Sequence, residues 1–320
     1  MQYNYDLYGM RVRSDLAFPQ FAPVSLQEKD GDSGGEEIRI RAMDTYEEAR
    51  FLRDHGKIIC GSALGAEKSW LCNRTLEMSV ERGNRICYHI REGGDPGAAR
   101  TYLAGFGMAM LVLQQGKLPF HCSALEVPEG GAVLIAGESG AGKSTLTANL
   151  LGMGYRFLAD DMAVVEISRR EGVWVYPAYP YMKLCRDAVA RRGYVSEGLR
   201  YIDEKKDKFL VPCAEQFQRE KVRLERFVWL GIQSEEEKAG ERSGTITVDR
   251  IAGPDSILVY KNNLFTRHLW KNQDSGMEIW QNCLRMAREI PVFGVKRPAA
   301  GDSTAEVAAE VHKLRSAVSA

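Results

Sequence analysis

Through residues 1–98 apolar and polar positions alternate in short segments, among them Tyr8-Gly9-Met10-Arg11-Val12, Glu37-Ile38-Arg39-Ile40-Arg41, Lys57-Ile58-Ile59 and Arg85 to Ile90. A period of two broken by Gly, Asp and Pro clusters predicts a β-rich front section, with Asp30 to Gly35 as an exposed loop. The cluster Glu92 to Ala98 closes it, and Tyr102 to Gln115 is apolar enough to predict a buried helix. The pattern then changes to alternating strand and helix signals. Ala132 to Ala136, Arg156 to Ala159 and Val164 to Ile167 predict strands, and Leu146 to Leu151 and Asp187 to Arg192 predict helices. Arg226 to Leu230 and Thr245 to Val248 predict strands flanking an acidic turn, Ser234 to Gly244, and Thr304 to Val318 predicts an amphipathic surface helix or tail. The expected organisation is a β-rich section over 1–98, a mixed α/β core over 99–298 and a helical tail over 299–320.

Composition narrows the partners. The chain has 320 residues, 44% of them hydrophobic, and its 43 basic residues balance 43 acidic ones, so no global field favours nucleic acid or an anionic membrane. Its 7 cysteines are scattered without a C-x-x-C pair, which suits a reducing cytoplasm. The opening MQYNYDLYGMRVRSD lacks a signal-peptide pattern, and the longest apolar stretch, Ala104 to Leu113, is about half a membrane span. A soluble cytoplasmic protein is expected, with a homo-oligomer compatible with everything above.

The segment GESGAGKST, Gly137 to Thr145, matches G-x-x-x-x-G-K-[ST] and lies between a predicted strand and a predicted helix. In such a loop small residues turn successive backbone N–H groups inward, glycine admits positive φ and close approach of phosphate, and the following helix adds its dipole. Gly137, Glu138, Ser139, Gly140, Ala141, Gly142, Lys143, Ser144 and Thr145 are therefore the expected nucleotide contacts, with Lys143 on the β/γ-phosphates and Ser144 on Mg²⁺.

Two further pieces should converge on this loop. After a glycine stop at Gly152-Met153-Gly154, the strand from Tyr155 ends in Asp160-Asp161; a right-handed strand-helix-strand crossover brings that end to the same sheet edge as the loop. Adjacent aspartates on extended backbone face opposite ways, leaving one for the Mg²⁺ shell and the other for the attacking group. Upstream, His121 starts the segment HCSALEV, and a hairpin through Pro128 to Gly131 sets it opposite Gly137 or Glu138.

HCSALEV, GESGAGKST and YRFLADDMAVVE, in that order, resemble the catalytic core of the HPr kinase/phosphorylase family over roughly residues 101 to 187. The resemblance implies an HPr-kinase-like and PEP-carboxykinase-like P-loop core with a mixed sheet, using ATP or another nucleoside di- or triphosphate, and Mg²⁺. It makes Asp161 the general base for a serine hydroxyl, Asp160 its neighbour, His121 the support of the base, and Lys143 and Ser144 the phosphate and metal contacts; Asp160 is the expected second metal ligand, with the division between the two acids left open. No stretch like the family's E-[VI]-R-G-[LIM]-G lies between Val173 and Lys296, so neither HPr as substrate nor the reverse reaction follows. In its place stand Tyr176 to Leu184 and Lys208 to Pro212; with Tyr5 to Gly9, these look like the HPr-kinase-like proteins of lasso-peptide biosynthesis, which phosphorylate the C-terminal serine of a precursor peptide. The alternatives are an HPr kinase proper, a small-molecule P-loop kinase and a nucleotide-sensing regulator.

Other residues weigh less. YPAYPYMK is either a peptide groove with Lys183 contacting phosphate or a packed loop; Lys205, Lys206 and Lys208, interleaved with acids, read as a solvated face. Arg156 is a candidate charge stabiliser, Cys122 reads as a small buried hydrophobe, and Arg267, His268 and Arg285 have no claim on the site.

Overall fold

The computed structural model describes residues 1–21, 23, 37–56, 60–138, 140–191, 199–203, 207–234, 244–270 and 276–314. The expected loop at 30–35, the segment 57–59 and most of the acidic turn lie outside them. The chain divides into two compact units, Met1–Pro119 with Phe265–Gly276, and Phe120–Leu264 with Met277–Ala320.

In the first unit the alternating segments form strands β1 (Tyr3–Leu7), β2 (Met10–Ser14), β3 (Ile38–Ala42), β4 (Gly61–Ala63), β5 (Lys68–Cys72), β6 (Leu76–Glu81) and β7 (Arg85–Ile90), in the sheet order β1-β2-β3-β7-β6-β5-β4. Helix α1 (Thr45–His55) starts in a capping box between Asp44 and Glu47 and buries Phe51. The predicted buried helix is α2 (Pro96–Tyr102), a π-helical turn at Leu103–Gly107, and α3 (Met108–Gln114). Met108 to Val112 are wholly buried, and a Cβ at Gly107 would touch Met78 and Ile86 at 3.4 Å, so the helix lies on this unit's own sheet. That packing sets the boundary at Pro119 rather than near residue 98. A short strand, β8 (Leu118–Phe120), spans the junction.

The second unit is a mixed α/β structure. Its strands β9 (Ser123–Glu126) and β10 (Ala132–Gly137) form the expected hairpin, closed by Val127 N–H to Gly131 O at 2.8 Å with Gly130 and Gly131 at φ 96° and 80°. The pairing Ala132↔Glu126 through Ile135↔Ser123, counted outward, places His121 level with Gly137. Helix α4 (Lys143–Gly152) follows the glycine loop, and β11 (Arg156–Ala159) returns antiparallel to β9. Strands β10 and β11 are thus parallel, as the crossover requires, with β9 inserted between them. Next come β12 (Ala163–Ser168), β13 (Gly172–Tyr176), β14 (Tyr181–Cys185), α5 (Arg186–Arg191), β15 (Arg200–Asp203), β16 (Lys208–Pro212) and β17 (Val222–Ile232). The long β17 runs parallel to β10 and, along its other edge, meets β13 and then β19 (Val292–Arg297). Strand β18 (Thr247–Ile251) pairs with β19, not with β17. Helices α6 (Pro254–Asn262) and α7 (Met277–Glu289) pack on each other.

One face of this sheet meets α4, α8 (Thr304–Lys313) and the small sheet β14-β16-β15. Leu146, Leu150, Val133, Ile135, Met182, Leu184, Phe209, Val228 and Val295 fill the space, each worth about 1.5–3 kcal/mol where a large side chain is fully buried. Helix α8 corrects the expected tail: Val307, Ala308 and Val311 join this core, and Tyr155 bonds His312 at 3.1 Å. Among the described residues, no helix is long and apolar enough to cross a membrane.

Candidate active site

The glycine loop is shaped by close backbone approach. Gly137 lies at φ 146° beside β17, and a Cβ there would sit 2.2 Å from the Leu230 carbonyl oxygen, so only glycine allows β10 to end against its neighbour. Gly140 and Gly142 take φ 85° and 99°, turning the chain into α4; Ser139 lies outside the described residues. Lys143 folds back over the loop, donating to the carbonyl oxygens of Gly137 at 2.6 Å and Glu138 at 3.1 Å. No carboxylate pairs with it among the described residues. Burial pushes this ammonium below its ordinary pKa, only partly offset by the more distant Asp160 and Asp161 carboxylates. The ammonium thus lies partly buried at the helix N-terminus, with the carbonyl oxygens of the loop as its described hydrogen-bond partners.

Asp160 and Asp161 stand at the end of β11, at the same edge. Asp160 is buried, its Oδ1 accepting from the Ser123 hydroxyl at 2.8 Å and its Oδ2 from the Lys183 backbone N–H at 2.9 Å. Asp161 departs from the expected extended segment: its φ is 68°, a left-handed conformation that costs a non-glycine residue about 1–2 kcal/mol. That turn carries its carboxylate to Lys183, whose ammonium donates to Oδ2 at 2.7 Å, while Oδ1 lies 3.6 Å from His121 Nδ1. The two acids do diverge, through this kink rather than through strand alternation.

His121 is held by its backbone N–H on the Asn263 carbonyl at 2.7 Å, and its Nδ1 lies 3.0 Å from the Asp161 backbone oxygen. A carbonyl only accepts, so Nδ1 carries the proton. Burial lowers the imidazole pKa, the Asp161 carboxylate raises it, and the Lys143 ammonium lowers it again, leaving it below the ordinary value. For Asp161, burial would raise the pKa, but the Lys183 ammonium and His121 outweigh it and hold the carboxyl well below the usual range. Lys183 answers in kind: burial would lower its pKa, and Asp161 raises it above the ordinary lysine value.

The structure therefore gathers His121, Lys143, Asp160 and Asp161 at one sheet edge, with the loop residues Gly137, Glu138 and Gly140 to Thr145 beside them. Mg²⁺ fits the donor set. Ser144 stands in the first turn of α4, both Asp160 oxygens keep a second lone pair, and Mg²⁺ takes only one or two carboxylates besides phosphate and water. No cluster of three or more His, Cys, Asp or Glu suited to a metal occurs among the described residues.

Several expectations change. Arg156 starts β11 at the end away from the aspartates and pairs with Glu126 at 3.3 Å, so it does not face the site. The YPAYPYMK segment is no open groove: Tyr179 is buried, Ala178 N–H bonds the Leu158 carbonyl, and Lys183 meets the two aspartates. Lys208 departs from the solvated face, since pairing Cys185↔Lys208 brings it near enough to act on both Lys143 and Asp161; Lys205 and Lys206 lie outside the described residues. Cys122 is buried and its thiol pushed far up by that burial, a poor nucleophile. Arg267 belongs to the other unit, and the His268 side chain lies outside the described residues.

Ser123 and Arg297 were not anticipated. Ser123 opens β9 two residues after His121, a spacing readable in the sequence. Arg297, at the end of β19, donates from Nε to the Ala141 carbonyl at 3.2 Å and from Nη2 to that of Gly140 at 3.3 Å, bracing the loop; no local pattern marks it.

No family model matches the chain, and no curated protein matches its sequence. Among solved structures it is similar to the HPr(Ser) kinase/phosphatase from Coxiella burnetii, at 12% identity and a TM-score of 0.29, covering 61% of this chain and 92% of that one. Overlap this low transfers no residue role from one chain to the other.

Proposed function

We propose that the protein is an ATP-dependent phosphotransferase that moves the γ-phosphoryl group to a serine hydroxyl of a peptide or small protein, in the finer reading the C-terminal serine of a lasso-peptide precursor. The observation that carries the reaction class is the charge layout at one sheet edge: Lys143, an ammonium with no carboxylate partner among the described residues, lies within electrostatic reach of two carboxylates, Asp160 and Asp161. The choice of a serine-bearing peptide rests on the sequence resemblance. The unpaired cysteines suit a reducing, cytoplasmic setting.

Loop N–H groups and the α4 N-terminus hold the polyphosphate, and Lys143 leaves its carbonyl contacts for the β/γ oxygens. Ser144 and Asp160 are the residues that would hold Mg²⁺, which supplies charge neutralisation on the phosphates when bound. The acceptor oxygen bonds to the γ-phosphorus as the bond to the β-bridging oxygen breaks, and ADP leaves. The hydroxyl proton passes to Asp161, whose backbone His121 fixes. A carboxylate held below its ordinary pKa is a weak base, so Asp161 acts late, once the loose transition state has acidified the hydroxyl, and alignment supplies most of the rate.

Incubation with γ-labelled ATP, Mg²⁺ and a peptide ending in serine tests this. Label on the serine is expected; label in a metabolite panel instead points to a small-molecule kinase. The sealed Lys183–Asp161 pair favours one other reading, a nucleotide sensor in which no transfer occurs. Tight ATP binding without transfer to any acceptor would select it.

A further inference from the structure

We infer that Lys183 is the positioning residue that sets both acidic side chains, through its backbone amide to Asp160 and its ammonium to Asp161. This rests on the reading of Asp161 as the group that receives the acceptor proton.

Strand alternation aims the side chain. Met182 and Leu184 are buried in the core shared with α4, at 1% and 0% exposure, so Lys183 between them must face the other side of β14. The register is fixed by Lys183↔Leu210 against β16, which carries the partly buried side chain to the Asp161 carboxylate. One residue thereby contacts both: its N–H meets Asp160 Oδ2 at 2.9 Å and its Nζ meets Asp161 Oδ2 at 2.7 Å. The two bonds do different things. The amide bond survives any substitution except proline, so Asp160 stays anchored in a side-chain variant; the ammonium bond does not. Asp161 needs the second bond because its left-handed backbone is costly and persists only where neighbours over-determine it. The Lys183 ammonium holds its carboxylate, and the His121 ring meets its backbone oxygen.

A structural ion pair would give the same distances, so the test must separate positioning from packing. Five proteins are compared: wild type, Lys183→Met, Lys183→Arg, Asp161→Asn and the Lys183→Met/Asp161→Asn double variant. Each is assayed for labelled-phosphate transfer to a serine-ending peptide, for ATP hydrolysis without peptide, for affinity toward a fluorescent ATP analogue, and for thermal unfolding. Lys183→Met should lower kcat by about a hundredfold, the cost of a small misplacement of a reacting group, with KM and analogue affinity within about threefold. Lys183→Arg should restore most of that loss. Adding Lys183→Met to Asp161→Asn should cost nothing further, because both act through one carboxylate. A Lys183→Met protein with unchanged kcat while Asp161→Asn is inactive overturns the inference and leaves the proposed function standing. An equal fall in kcat and ATP affinity overturns it too, making Lys183 a phosphate ligand. Should Asp161→Asn transfer normally, the reading of Asp161 as the proton acceptor fails, and the inference with it, while the transferase activity itself stands. A crystal structure of Lys183→Met decides the inference without any assay: the Asp161 carboxylate displaced by more than about 1 Å supports it, and an unmoved one refutes it.

Discussion

The glycine loop and strand β14 each bring a lysine to the same end of the sheet, and the two stand in opposite electrostatic states. Lys143 rests on carbonyl oxygens with no carboxylate partner among the described residues, its pKa pushed down by burial; Lys183 is paired with Asp161 at 2.7 Å, its pKa raised by that carboxylate despite burial. Identical side chains a short way apart are thus assigned to different anions. In the proposed function Lys143 serves the nucleotide's negative charge, whereas Lys183 is paired with the protein's own.

The most severe way to break this comparison is Asp161→Asn, which removes Lys183's partner and the proposed base together. Phosphotransfer should fall by about 10²–10⁴-fold, the usual contribution of a general base, while ATP-analogue affinity stays nearly constant; stopped-assay rates and fluorescence titration measure both. Lys143→Met attacks the other lysine and should lower both affinity and rate, the rate by about 10²–10³-fold. The same variant sharpens the comparison through stability. ATP at 100 times its Kd should stabilise the wild type by about 2.7 kcal/mol, seen as a higher Tm, and the shift should largely vanish in Lys143→Met.

Acid titration probes the committed pair. The Asp161 carboxyl lies below its ordinary value in the folded chain, so its contribution is present above the unfolded pKa of about 4 and is lost as pH falls through the folded value. The stability gap between wild type and Lys183→Met, read from urea midpoints, should therefore be full near neutral pH and narrow as pH drops below about 4. Smallest of all, Arg156→Ala should leave kinetics unchanged and stability within about 0.5 kcal/mol, because its exposed pair with Glu126 lies away from the aspartates.

How far the site was legible in the sequence follows the same division. The loop half is local: Gly137, Gly142, Lys143 and Ser144 sit at fixed spacing between a strand and a helix, and their conformations depend on neighbours in sequence. The acid half is partly local, since the strand ending in Asp160-Asp161 and the hairpin from His121 could be counted out residue by residue. Its decisive contact was not. Lys183 reaches the aspartates through the pairing of β14 with β16, whose segments carry prolines and tyrosines that gave no strand period, and the φ of 68° at Asp161 leaves no trace in residue type. Arg297 reaches the loop from β19 through a parallel ladder, equally invisible to local pattern. Helix α8 was legible as a helix but not as core, because whether an amphipathic face finds a partner is decided by the rest of the fold.

A crystal structure with Mg²⁺ and a non-hydrolysable ATP analogue tests the convergence most directly. The account predicts Lys143 moved from the Gly137 carbonyl onto the terminal phosphates, and an Asp161 oxygen within about 3 Å of the position an in-line hydroxyl would take beyond the γ-phosphorus. A γ-phosphate directed away from Asp161, with Lys143 still on its carbonyls, would contradict it.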